Sequence, residues 1–119
     1  MSIKRLLIAN RGEIAVRIVR AAKAMGIKTI QVYSEADADM LACKQADVTV
    51  CVGGAVAKDS YLNIPNILAA AKETDADAVH PGYGFLAESA KFAQAVVDAG
   101  MIWVGPAAVT IDRMGDKVA

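Results

Sequence analysis

Short apolar runs alternate with longer amphipathic segments along the whole of this chain. Residues 6–9 form an apolar run without polar alternation, which is typical of a strand buried on both faces of a parallel sheet. Between residues 13 and 25, by contrast, apolar side chains recur every three or four positions and predict an amphipathic helix. Strands that alternate with helices form βαβ units. The sequence therefore predicts an α/β fold of about five mainly parallel strands with helices on both faces.

The same patterns set the bounds of the other predicted elements. The predicted strands are residues 6–9, 27–33, 48–52, 76–80 and 102–104. The predicted helices are residues 13–25, 39–45, 63–74 and 88–99, with a last helical turn at 107–114. Ligands of parallel sheets bind outside the carboxyl ends of the strands, so a site is expected in the loops that follow strands. These loops are residues 10–13, 34–39, 53–60, 80–88 and 105–108.

Two of the predicted helices carry an apolar stripe that is expected to pack against the sheet. In the first helix the stripe consists of Ile14, Ile18, Ala21, Ala22 and Met25. In the helix at 88–99 it consists of Phe92, Ala95, Val96 and Ala99.

Length and charge restrict the class of protein. The chain has 119 residues, of which 55% are hydrophobic, so residues 1–119 are expected to form one domain whose core needs no disulfide or metal. Its net charge is zero, but residues 1–28 hold seven basic side chains and one acid, and residues 29–119 hold six basic and twelve acidic side chains. A neutral total argues against broad binding to nucleic acid or to an acidic membrane.

Targeting signals and metal ligands are sparse. The apolar run at 6–9 is too short for a secretory signal, and no apolar run approaches the length of about 18 residues expected of a membrane span. The chain has two cysteines, Cys43 and Cys51, and one histidine, His80, which do not form a zinc-binding pattern. The sequence therefore predicts a cytoplasmic protein with reduced thiols and no metal site of its own.

The turn at 10–13 follows a strand and opens a helix, where a dinucleotide-binding fingerprint would lie. It has one glycine, Gly12, whereas that fingerprint needs three. Glu35 ends the second predicted strand, near the place of a ribose-binding acid. Without the glycines, binding of NAD remains the weakest of the functional hypotheses.

The segment 80–88, HPGYGFLAE, has the most unusual composition of the five loops. Gly82 and Gly84 flank Tyr83, so the backbone can take positive φ and leave the ring prominent, as a platform for a flat polar ligand. Alternatively, Tyr83 and Phe85 cover the end of the sheet and His80 is a half-buried, hydrogen-bonded histidine. The spacing alone favours this second interpretation, and no serine or cysteine nucleophile lies beside His80.

Two further features have both a functional and a plain interpretation. Gly53 and Gly54 could form an anion-binding nest, although a mobile loop is the preferred interpretation. Lys117 could neutralise a phosphate, although a lysine near a chain end is usually solvated.

Four motifs together are similar to one enzyme family. They are residues 8–15 (IANRGEIA), 60–65 (SYLNIP), 80–88 (HPGYGFLAE) and 114–117 (MGDK). In this order and spacing they resemble the opening part of biotin carboxylase, the biotin-dependent module of acetyl-CoA, propionyl-CoA and pyruvate carboxylases. The resemblance runs from Ile3 to Val118 and implies a Rossmann-like pre-ATP-grasp domain.

The resemblance implies a two-step ligase reaction. ATP and bicarbonate form carboxyphosphate, which carboxylates biotin on a carrier protein, with Mg²⁺ as the metal cofactor. Lys117 matches a lysine that reaches the ATP phosphates, and Tyr83 and Gly84 match residues that approach the ureido ring of biotin. A cation near the phosphates agrees with the electrostatic demands of phosphoryl transfer. No catalytic residue of the family has a counterpart in this sequence.

The resemblance also implies partners. They are the biotin carboxyl carrier protein, a carboxyltransferase and a second copy of the enzyme, since Arg17 and Arg20 match arginines at a dimer interface formed partly by the first helix. The acetyl-CoA carboxylase type, which serves fatty acid biosynthesis, is the expected subtype, although the carboxyltransferase chooses the final acceptor.

The sequence ends two residues after Lys117, before the ATP-grasp and carboxyl-terminal domains of the family. The polypeptide alone is therefore expected not to carboxylate biotin and not to bind ATP, Mg²⁺ or biotin tightly. The alternative is a self-standing α/β binding or interaction module without catalysis.

Overall fold

A computed structural model describes residues 3–105, which form a five-stranded parallel sheet with helices on both faces. The strands are β1 (Arg5–Ile8), β2 (Lys28–Ser34), β3 (Val48–Gly53), β4 (Ala78–His80) and β5 (Ile102–Trp103). The helices are α1 (Gly12–Ala24), α2 (Leu41–Gln45), α3 (Ile64–Glu73) and α4 (Ala90–Asp98). Short 3₁₀ helices cover Glu35–Asp37, Ala57–Asp59 and Phe85–Glu88. The predicted α/β class is confirmed; the helical turn predicted at 107–114 lies outside the described residues.

The strand order is β3-β2-β1-β4-β5, and all four neighbouring pairs are parallel. The chain thus starts in the middle of the sheet, builds one edge through β2 and β3, and then crosses to the other side of β1. The order reverses between β1 and β4, where Ile8 pairs with His80. In open α/β sheets the crevice at the carboxyl ends of such strands is where ligands bind.

Two apolar layers cover the sheet because successive side chains of a strand point to opposite faces. Leu7, Ile30 and Val79 face a layer shared with Ile67 of α3 and Phe92 of α4. On the other face, the packed side chains come from β1, β4, α1 and α2: Leu6, Ile8, Ala15, Val16, Val19, Ala22, Ala42 and Ala78.

The buried face of α1 agrees only in part with the predicted stripe, of which Ala22 is buried and Ile18 packs against the core. The helix buries Ala15, Val16, Val19 and Ala22, and Met25 is 75% exposed. Apolar residues cover more than half of the circumference of this helix, so their spacing fits two overlapping stripes. Small and β-branched side chains face the sheet, which allows a close approach, and the predicted stripe is displaced towards the helix flank.

Polar caps decide where α3 and α4 begin. The side chain of Asn63 accepts the Asn66 backbone N–H at the start of α3, and Ser89 accepts the Phe92 N–H at the start of α4. Helix α4 therefore begins after residue 88, its predicted start. It buries Phe92, Ala93 and Val96, whereas Ala95 of the predicted stripe is half-buried and Ala99 is exposed.

Among residues 3–105, no helix has the length and apolar character needed to cross a membrane.

Candidate functional site

The candidate site lies at the carboxyl ends of β1 and β4, where the strand order reverses. The backbone N–H of Ala9 donates to the His80 carbonyl at 3.0 Å, which extends the pairing of the two strands by one bond. Beyond that bond the chain of β1 turns into α1 through Asn10 and Arg11, and the chain of β4 enters the loop 81–88. The sheet thus brings the 10–13 turn and the 80–88 segment together, as two of the loops predicted to hold a site.

The loop after β4 contains three residues with positive φ, two of which are glycines. Gly82 and Gly84 have φ of 68° and 70°, and Phe85 has φ of 46°. A Cβ on Gly82 would lie 2.7 Å from Nδ2 of Asn10, so this position needs glycine for space as well as for its dihedral angle. Tyr83 is 76% exposed. The predicted positive φ values and the prominent ring are therefore both present.

His80 is half-buried at the end of β4. Its Nδ1 accepts the backbone N–H of Gly82 at 3.1 Å. Burial lowers the pKa of His80 below its ordinary value, so the ring is neutral at pH 7. This placement agrees with the interpretation of His80 as a half-buried, hydrogen-bonded histidine.

A second cluster, not predicted from the sequence, ties the neighbouring loops together. Arg11 Nε and a terminal guanidinium nitrogen each lie 2.7 Å from a different carboxylate oxygen of Asp37, a bidentate ion pair. The Tyr61 hydroxyl donates to Asp37 at 2.6 Å and accepts the Ser34 backbone N–H at 3.1 Å. We call Arg11, Asp37, Tyr61 and Ser34 the Asp37 cluster.

The contacts within the Asp37 cluster shift two ionisation equilibria. The Arg11 hydrogen bonds hold the pKa of Asp37 at about 2, below its ordinary value of 3.8. Burial raises the pKa of Tyr61 to about 12, and the Asp37 carboxylate adds to this rise. Asp37 is therefore ionised and Tyr61 neutral across the physiological range, which suits a fixed structural support.

Aromatic packing connects the Asp37 cluster to the loop after β4. The rings of Tyr61 and Phe85 have centroids 5.3 Å apart and are tilted by 31°. Tyr61 is fully buried, whereas Phe85 is 36% exposed. Tyr61 and Phe85 lie in the motifs 60–65 and 80–88, but neither motif predicted this contact. The hydrogen-bond partner of Tyr61, Asp37, is 24 residues away and had no local signal.

The predicted interface arginines lie on α1. Arg17 and Arg20 are exposed, and Arg20 Nε donates to the Gln45 side chain at 3.3 Å. Arg17 lines a groove between α1 and the ends of the central strands. Apolar and aromatic side chains share this groove: Ile3, Leu6, Ile14, Ile18, Ala21, Met25, Ile27, Tyr83 and Val104.

Three further predictions concern the glycines at 53 and 54, metal ligands and Lys117. The Asp59 carbonyl lies where a Cβ of Gly53 would be, so close packing explains a glycine there without a bound anion. No group of three potential metal-ligating side chains occurs within the described range. Lys117 lies outside the described residues.

The sequence of this chain is similar to those of known proteins. Residues 2–111 match the family model described as "Biotin carboxylase, N-terminal domain". This chain belongs to the biotin carboxylase family. Biotin carboxylase 1 of Bacillus subtilis is 56% identical over 97% of this chain, which corresponds to 26% of that protein.

Solved structures of biotin-dependent carboxylases have the same fold as this member of the biotin carboxylase family. The biotin carboxylase domain of a thermophilic 2-oxoglutarate carboxylase, bound to bicarbonate, has a TM-score of 0.93 and 43% identity, covering 98% of this chain and 26% of that one. A pyruvate carboxylase of Rhizobium etli has a TM-score of 0.92 and 43% identity, covering 98% of this chain and 12% of that one. The chain thus spans about a quarter, or less, of the proteins it matches.

Proposed function

We propose that residues 1–119 form the amino-terminal domain of a biotin carboxylase that uses ATP and bicarbonate to carboxylate biotin on a carrier protein. The observation that carries this proposal is the loop after β4, which holds Tyr83 exposed between two glycines at the point where the strand order reverses. Family membership supports it independently, because relatives at 56% identity are named biotin carboxylases.

The shape of this loop supports the assignment of a biotin-binding role to it. Within residues 3–105, no atom lies within 4 Å of the place where a Cβ of Gly84 would be, which leaves room for a flat bicyclic ring beside the backbone. The exposed Tyr83 ring supplies an apolar wall beside it. In the proposed enzyme Tyr83 and Gly84 contact biotin, and Lys117 contacts the ATP phosphates. The proposed enzyme also uses Mg²⁺.

The proposed partners follow from the same assignment. They are a biotin carboxyl carrier protein, a carboxyltransferase and a second copy of the enzyme that meets Arg17 and Arg20. We further propose that the enzyme is cytoplasmic and serves an acetyl-CoA carboxylase. The matches include a pyruvate carboxylase and a 2-oxoglutarate carboxylase, so the subtype needs its own assay with each acceptor.

A graft tests the proposal. We would replace the aligned residues of Bacillus subtilis biotin carboxylase 1 with this chain, to which it is 56% identical, and call the product the graft enzyme. With ATP, Mg²⁺, bicarbonate and free biotin, it should release ADP in a biotin-dependent manner. Tyr83→Ala should raise the KM for biotin and Lys117→Ala the KM for ATP, each by about tenfold.

The 119-residue chain alone is the control, and we expect no ADP release from it. A folded graft enzyme without biotin-dependent turnover would contradict the proposed function and favour a binding or interaction module. Tyr83→Ala and Lys117→Ala variants with unchanged KM values would contradict the assignment of those two residues.

A further inference from the structure

We propose that Asn10 is a positioning residue that sets the shape of the loop after β4 and, through it, the affinity for biotin. This inference rests on the proposed function. Asn10 is 1% exposed and lies two residues after the end of the central strand β1, so its side chain does not reach solvent or a ligand. It acts through the backbone of the loop that it holds.

The Asn10 side chain is fully used in hydrogen bonds. Its Nδ2 donates to the Pro81 carbonyl at 2.8 Å and to the Tyr83 carbonyl at 2.7 Å. Its Oδ1 accepts the Arg11 backbone N–H at 2.8 Å. A flipped amide would place its oxygen against two carbonyl oxygens, so the orientation of the group is determined by its partners.

Asn10 is itself held from the neighbouring strand. Nε2 of Gln31, a fully buried residue of β2, donates to the Asn10 carbonyl at 2.7 Å. The main chain of Asn10 is thus fixed from one side while its side chain fixes the loop on the other. Few alternative positions of the amide remain, and this rigidity is what a positioning residue requires.

The two bonds to the loop determine where one backbone donor points. In a trans peptide the C=O and the following N–H point in opposite directions. The Tyr83 carbonyl points at Asn10, so the Gly84 N–H points away from Asn10. Gly84 is exposed, and that N–H has no acceptor among residues 3–105. Asn10 therefore presents the Tyr83–Gly84 peptide, with its free donor, on the outer side of the loop.

The geometry of Gly82 supports the same role. A Cβ on Gly82 would lie 2.7 Å from Asn10 Nδ2 and 2.9 Å from a methyl group of Ile14. The loop therefore packs directly on the Asn10 amide. Phe85, which is not a glycine, has a φ of 46°, and such a value persists only where the surrounding structure holds it. The two carbonyl bonds from Asn10 hold the backbone just before it.

Asn10→Asp is the test variant, because it keeps the size of the side chain and removes both donors. In the 119-residue chain we expect faster hydrogen–deuterium exchange at residues 82–87, with unchanged exchange in α3 and α4. In the graft enzyme we expect the KM for biotin to rise about tenfold, because the loop loses both hydrogen bonds that Asn10 donates to it. The KM for ATP should stay within about twofold of its original value.

The matched control is Asn66→Asp. Asn66 Nδ2 also donates to a carbonyl, that of Val52 at 2.8 Å. Asn66 lies on α3 and Val52 on the edge strand β3, which is three strands away from β4 and its loop. This variant should leave loop exchange and the KM for biotin unchanged. If both variants raise exchange throughout the sheet, Asn10 is only a structural residue and the inference is wrong.

The unsubstituted chain keeps the inference testable should Asn10→Asp fail to fold. Two-dimensional NMR should show slowly exchanging carboxamide protons for Asn10 and rapid exchange for those of exposed Asn66. Rapid exchange at Asn10 would overturn the inference. Changed loop exchange together with a graft enzyme that never carboxylates biotin would contradict the proposed function instead, so the two failures are distinguishable.

Discussion

At the scale of single residues, Asp37 has the densest set of polar contacts at the candidate site. It accepts hydrogen bonds from the Arg11 guanidinium, the Tyr61 hydroxyl and the Ser34 hydroxyl. Its side chain is 11% exposed, so these partners replace most of its hydration. A carboxylate with these hydrogen bonds stabilises the fold. Its removal would also leave several donors without an acceptor, which adds to the loss of stability.

We predict that Asp37→Asn lowers the free energy of unfolding by about 2 kcal/mol at pH 7, because hydrogen bonds to charged groups are strong. The folded pKa of Asp37 is about 2, below its ordinary value of 3.8. The unfolded chain therefore binds the proton first, and the contribution of Asp37 is lost as the pH falls from about 4 towards 2. Urea unfolding at several pH values measures this.

The difference between the original chain and Asp37→Asn should shrink below about pH 4. Asp39→Asn is the matched control, since Asp39 is exposed and lies two residues away. We expect that control to change stability by less than about 0.5 kcal/mol. An equal loss in the two variants would contradict the role given to the Asp37 cluster.

We predict that Tyr61→Phe lowers the free energy of unfolding by about 1–3 kcal/mol. The variant keeps the ring that packs on Phe85 but removes the acceptor of the buried Ser34 N–H and a donor to Asp37. The measurement is urea unfolding at neutral and alkaline pH, with Tyr33→Phe as the control for a half-buried tyrosine without these bonds.

The contribution of Tyr61 to the free energy of unfolding also depends on pH in the alkaline range. Its folded pKa is about 12 against an ordinary value of 10, so the unfolded chain loses the proton first. Stability from Tyr61 is present below pH 10 and is lost as the pH rises towards 12. Tyr61→Phe should lack this component; an identical alkaline loss would show that another group is responsible.

At the scale of elements, the loop after β4 combines two different requirements for glycine. Gly82 and Gly84 have nearly the same φ, but only Gly82 is crowded where a Cβ would lie. The loop also joins the middle of the sheet to α4 through the 3₁₀ helix Phe85–Glu88, so its shape is held at both ends.

We predict that Gly84→Ala lowers the free energy of unfolding by about 1–2 kcal/mol, the cost of a left-handed conformation with a Cβ. Gly82→Ala should cost more, by about another 1–3 kcal/mol, because the new methyl group collides with Asn10 and Ile14. Thermal and urea unfolding of both variants measure the gap. Equal losses in the two variants would show that the contact with Asn10 relaxes easily.

At the scale of the whole molecule, three of the seven basic residues of the segment 1–28 lie on an exposed face of α1. Arg17, Arg20 and Lys23 are exposed there, and Lys23 lies 4.0 Å from the Asp47 carboxylate. Helices α3 and α4 pack on the opposite face of the sheet. The uneven charge of the sequence is therefore an uneven surface, which suits contact with another protein surface.

We predict that Arg20→Glu weakens dimerisation of the graft enzyme by about tenfold, since reversing a charge at an interface places like charges together or removes a pairing partner. Sedimentation velocity over a range of concentrations measures this. Lys91→Glu on α4 makes the same change of charge on the opposite face and should leave the dimer intact. An unchanged sedimentation profile for Arg20→Glu would count against α1 as the interface.

The sequence by itself determined the succession of strands and helices along the chain, and it placed their ends mostly within two residues of those in the structure. These are local properties: apolar periodicity and β-branched runs select helix or strand, and glycines end them. The same local logic identified the loop with Gly82, Tyr83 and Gly84, since positive φ and exposure depend on neighbouring residues. The motifs likewise carried the family resemblance.

Only the tertiary structure decided which face of α1 is buried, since the helix is apolar on more than one side. It alone joined Asn10 to carbonyls 71 and 73 residues away, and Arg11 to Asp37 across 26 residues. These partners meet because β1 lies between β4 and β2 in the sheet, and no local pattern in the sequence records that arrangement. The groups that give the site its shape are therefore set by strand order, whereas the elements that carry them are set by local sequence.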